Sequence, residues 1–88
     1  MDFKPMYTVI VRDDEEEITR MYFSSTGAIA RNLPNIIIGQ FTELFEAIED
    51  AGKTVDEVVA FLADEAMVAK ELTLGNMTIA RGFEVCYE

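Results

Sequence analysis

The sequence predicts an α+β domain: an antiparallel sheet, built from an N-terminal hairpin and a C-terminal hairpin or meander, with a two-helix hairpin packed on one face. Three observations predict it. Side chains near both ends of the chain alternate with a period of two. Apolar residues between Asn35 and Glu71 recur at helical spacing instead. Turn-forming residues separate the two regimes, most clearly at Ala51-Gly52-Lys53-Thr54. The expected order is β-β-α-α-β-β(-β), in one domain spanning residues 1–88.

Met6 to Arg12 alternates as a strand, with Tyr7, Val9 and Val11 on one side. Asp13-Asp14-Glu15-Glu16 reads as a polar turn, and Glu17 to Phe23 as the returning strand. A short loop would place Val11 opposite Ile18 and Arg12 opposite Glu17. Met6, Ile10, Met21 and Phe23 would then share the second face with Thr8 and Thr19. Asp13 to Glu17 is a run of five acids. A calcium loop needs alternating oxygen ligands, a central Gly and a distal Glu, and this run has none of that spacing. The expectation is a solvated tip, with no metal site and no cofactor.

Ser24 to Gly27 reads as a loop, followed by a helical turn that stops before Pro34. The first long helix is expected to begin between Asn32 and Asn35 and to run to about Ala51. Ile37, Phe41, Leu44, Phe45 and Ile48 form its inner stripe. Glu43, Glu46 and Asp50 form an outward ladder with no Lys or Arg three or four residues away. Acids in the last turns of a helix oppose its dipole, at about 0.3–1 kcal/mol each.

The second helix opens on a capping box, Thr54-Val55-Asp56-Glu57. Gly52 suits the left-handed residue that closes the helix before it. Val55, Val58, Val59, Leu62, Ala66 and Ala69 share the inner face, while Glu57, Asp64 and Glu71 fall seven apart on the opposite one. Phe61 and Val68 lie beside that acidic ridge. They either cover a strand edge or neighbouring helix, or form an apolar patch for a partner.

Beyond Glu71 the period returns to two. Leu72 to Ala80 reads as a hairpin turning at Gly75-Asn76, and Arg81-Gly82 as a second tight turn into Phe83–Tyr87. Cys86 stands among acids, so an inert thiol is expected there.

The charge balance bounds function. Seventeen acids face seven bases, for a net charge of -10. Half of the residues are hydrophobic, so the chain has the material for a core. An acidity of this size argues against direct binding of nucleic acid or of an anionic membrane. The lone cysteine, the absence of a membrane-length apolar run and the lack of a leader pattern suit a cytoplasmic protein. There is no histidine, and the five glycines are scattered rather than gathered in a phosphate loop. The sequence therefore reads as non-enzymatic. The expected partner is a basic protein surface, most plainly that of a nucleic-acid-binding protein. Glu43, Glu46, Asp50, Glu57, Asp64, Glu71, Phe61 and Val68 are the candidate contact residues. Such an inhibitor or DNA mimic has the general character of phage-encoded anti-restriction and anti-CRISPR proteins. The alternative is an assembly module that forms a homodimer or pairs with a partner through an edge strand.

Overall fold

The computed structural model describes residues 3–64 and 70–87. It is an α+β fold. Strands β1 (Phe3–Arg12) and β2 (Ile18–Phe23) are followed by helices α1 (Thr26–Gln40), α2 (Thr42–Asp50) and α3 (Val55–Ala63). Strands β3 (Lys70–Leu74) and β4 (Met77–Tyr87) complete the chain. The sheet is antiparallel throughout, in the order β2-β1-β4-β3.

The first hairpin differs from expectation by one residue. Arg12 pairs with Ile18 and Val11 with Thr19, so Glu17 belongs to the loop. Asp13 explains the longer loop. Its Oδ1 accepts hydrogen bonds from the amides of Glu15 at 2.9 Å and Glu17 at 3.0 Å. Its amide donates to the Glu17 carbonyl, and Glu16 takes a left-handed φ of 64° to close the turn. A one-residue shift exchanges the faces of a strand. Met21 and Phe23 therefore join Tyr7, Val9 and Val11 on the core side, instead of opposing them.

The helical layer also departs from the expected pair. The helical turn expected before Pro34 is the start of a long helix, which begins at Thr26, two residues inside the expected loop, because Ser25 caps it: the Ser25 hydroxyl accepts from the Ala28 amide at 3.0 Å. Pro34 lies inside α1. A proline there forfeits one backbone bond, at a cost of about 3 kcal/mol. Ile29, Leu33 and Ile37 are each fully buried, and burying each such side chain contributes about 1.5–3 kcal/mol. Burial wins, and the helix runs through the proline.

The break comes later, at Phe41, where φ is -117° and ψ is 69°. The expected single helix is thus two. The inner stripe nonetheless keeps its role: Ile37, Leu44 and Ile48 are fully buried, while Phe41 and Phe45 pack half-buried against the core.

The turn from α2 to α3 is as expected. Gly52 has φ 74°, its amide donates to the Glu49 carbonyl, and the Lys53 amide donates to the Ile48 carbonyl. That pair of bonds closes a helix in the Schellman manner. Thr54 Oγ1 accepts from the Glu57 amide at 3.2 Å and donates to the Glu57 carboxylate at 3.3 Å. Helix α3 ends at Ala63, however, and Glu71 is on β3. Ala66, Val68 and Ala69 lie outside the described residues.

Leu74 pairs with Met77 across a turn whose first residue, Gly75, has φ 61°. The second expected turn does not form. Arg81 and Gly82 continue β4, pairing with Val9 and Thr8. Arg81 explains the continuity. It is buried on the helix side of the sheet, where Nη1 donates to the Leu62 and Asp64 carbonyls at the end of α3. Its guanidinium carbon also lies 5.3 Å from the centre of the Tyr7 ring. A turn at Arg81 would remove the donor from those carbonyls.

Candidate functional site

The hairpin turns β1–β2 and β3–β4 lie at the same end of the sheet, because β1 and β4 are antiparallel neighbours. Helix α2 packs over that end. The three elements enclose an open cleft of about 410 Å³. Its walls carry Asp13 and Asp14 from the first turn and Glu43, Glu46 and Asp50 from α2. Leu74, Gly75, Asn76 and Met77 complete it from the second turn. A second cleft of about 300 Å³ shares Asp13, Glu43 and Met77 with the first and adds Glu17, Thr19 and the helix break at Phe41. The two form one groove. It is lined by Asp13, Asp14, Glu17, Glu43, Glu46 and Asp50, and among the described residues no Lys or Arg lines it.

The amphipathic pattern of α2 puts these acids there. Leu44 and Ile48 turn fully inward, which leaves Glu43, Glu46 and Asp50 on the exposed side. The break at Phe41 alters their energetics. Glu43 lies in the first turn of α2, where the helix dipole favours an acid, whereas in a single long helix it would lie mid-helix and gain nothing. Glu49 and Asp50 end the helix with no base in its last turn. Those two placements cost about 0.3–1 kcal/mol each.

Among the described residues, no three carboxylate, histidine or cysteine side chains gather closely enough to hold a metal ion. The groove acids are spread along its walls. They create a broad negative potential rather than a chelating point. The groove's chemistry is attraction of cationic groups, strengthened by concave walls that hold back solvent.

The second acidic ridge is not formed. Glu57 sits in the first turn of α3 and serves the capping box. Asp64 is the residue at which α3 ends, in extended conformation, with its carbonyl bound by Arg81. Glu71 lies on an edge strand opposite Ala80. A helix carried on to Glu71 was needed to align the three, and the return to strand at Lys70 separates them. Phe61 is half-buried and packs against the core, beside Val58 and Leu72. Val68 lies outside the described residues.

Asp13 and Asp14 belong to the groove although sequence reasoning placed them in a solvated tip. Their proximity to α2 depends on strand order, which local pattern does not encode. The available signal was Asp13 itself, an Asx-turn residue that stiffens the loop.

No helix among the described residues is long and apolar enough to cross a membrane. No family model matches the sequence, and no curated protein or solved structure matches it.

Proposed function

We propose that this chain is a non-enzymatic binding protein whose acidic groove engages the basic surface of another protein, and that the partner is a nucleic-acid-binding protein which it inhibits. One observation carries the reading: acids from two separate parts of the fold converge on a groove that no base among the described residues lines. Folding alone gives no reason for this arrangement. Like charges repel one another across the groove, and two of the acids nearby also end a helix unfavourably.

A partner's Arg and Lys side chains would enter the groove and neutralise it. A surface built for duplex DNA, which carries one charge per about 1.7 Å of axis, presents such side chains densely. The groove would hold them as phosphates do, and access to nucleic acid would be blocked. No direct contact with nucleic acid is involved, since the net charge of -10 opposes it.

The test is affinity capture from the native host, with duplex DNA as competitor. Asp14→Asn, Glu43→Gln, Glu46→Gln and Asp50→Asn are combined in one control variant. Asp13 is left intact because it holds the turn. The reading predicts a basic nucleic-acid-binding protein that DNA displaces and the variant fails to capture. Equal capture by the variant contradicts it.

A second reading is pairing through an edge strand. The edge strand β2 favours it, since Ile18 and Tyr22 are about half exposed there. Within β4, Met77–Arg81 is flanked by both β1 and β3 and offers no open edge. Strand pairing would be nearly indifferent to salt, whereas groove binding would weaken steeply.

A further inference from the structure

The sheet has two unlike faces. The core draws Val9, Val11, Phe23, Leu74 and Ile79 from one of them, together with the helices. None of Met6, Thr8, Ile10, Ile18, Tyr22 or Ala80, on the other face, belongs to that core. Ile18 is 53% exposed and Tyr22 48%. At the centre Thr8 is only 1% exposed, and its hydroxyl has no hydrogen-bond partner among the described residues.

The register orders the face into transverse rows. One row reads Arg20, Ile10, Ala80, Glu71 from β2 to β3, since Ile10 pairs with both Arg20 and Ala80, and Ala80 pairs with Glu71. It has a base at one edge, an acid at the other and apolar residues between. Such a row is complementary to its own reverse. A two-fold axis running along the strands, between β1 and β4, would lay Arg20 of one copy over Glu71 of the other, twice. It would stack the apolar centres together and align the strands of the two sheets. Aligned sheets pack about 10 Å apart with a rotation of about 30°. Arg12, at the last paired position of β1, is exposed and lies at the rim.

We infer that the open face of the sheet is an isologous interface, on which a second copy of this chain packs face to face with Arg20 against Glu71. The inference stands apart from the groove reading, because the groove lies on the helix side. A dimer of this form would display two acidic grooves, one on each outer side.

Charge exchange tests it, read by sedimentation equilibrium at about 100 µM, a concentration suited to a small interface. The wild-type chain should sediment at twice the monomer mass. Arg20→Glu and Glu71→Arg should each sediment as monomers. Both positions are exposed, and circular dichroism checks that both variants are folded. An equimolar mixture of the two variants should recover the dimer mass, because every cross-pair is then complementary. A wild-type monomer overturns the inference and leaves the face to a foreign partner. Dimers formed by either single variant, or a mixture that stays monomeric, overturn it equally.

Discussion

The groove and the open sheet face handle charge in opposite ways. Around the groove, Asp13, Asp14, Glu17, Glu43, Glu46 and Asp50 accumulate with no base among the described lining residues. On the open face, Arg20 and Glu71 stand at opposite edges with apolar residues between them. A net charge says little about where a protein is acidic. Here six of the acids share one location, and the row from Arg20 to Glu71 on the sheet is complementary to its own reverse. In the readings proposed above, the first surface takes a cationic stranger and the second a copy of itself.

The largest expected effect shows what a core failure looks like beside a groove. Leu44 is fully buried beneath the groove. Leu44→Ala should cost about 2–5 kcal/mol by denaturant titration, and groove function should fail with the fold. A smaller loss is expected from Gly52→Ala. The left-handed φ of 74° that closes α2 is costly for any residue with a Cβ, by about 1–2 kcal/mol. Because this turn sets the direction of α2, the same variant should also weaken groove binding.

Changes on the surfaces themselves should be gentler. Glu16→Gly relieves the left-handed residue in the first turn and should raise stability by about 0.5–1 kcal/mol while leaving the groove acids in place. The combined Glu43→Gln, Glu46→Gln and Asp50→Asn change should leave the melting temperature unchanged or slightly raised, because it relieves repulsion of about 0.2–0.5 kcal/mol per close pair. A marked fall in melting temperature would show that these acids support the fold, and the contrast between the two surfaces would collapse.

Much of the fold was legible because local rules and packing agreed. The capping box at Thr54, the glycine closure at Gly52, the Gly75-Asn76 turn and the inner stripe of Leu44 and Ile48 are all as the pattern predicts. The misreadings fall where tertiary burial overrides a local rule. Pro34 did not stop α1, because Ile29, Leu33 and Ile37 bury together across it. Arg81-Gly82 did not turn, because the guanidinium binds the end of α3. Asp13 lengthened a hairpin by one residue and exchanged the faces of β2.

The candidate site was half legible. The ladder of Glu43, Glu46 and Asp50 follows from helical spacing, whereas its meeting with Asp13 and Asp14 depends on strand order. The ridge of Glu57, Asp64 and Glu71 assumed one uninterrupted helix, and the chain returns to strand first.

The most direct measurement of the central claim needs no knowledge of the partner. A short oligo-arginine peptide is titrated into the labelled protein at low salt, and amide shifts are followed by NMR. If the groove is the cationic-binding surface, the largest shifts fall at Asp13 and Asp14, along 42–51 and at 74–77, and they vanish in the Asp14→Asn, Glu43→Gln, Glu46→Gln, Asp50→Asn variant. Shifts spread evenly over every acidic residue, with Asp56, Glu57 and Glu71 moving as much as Glu46, would contradict it.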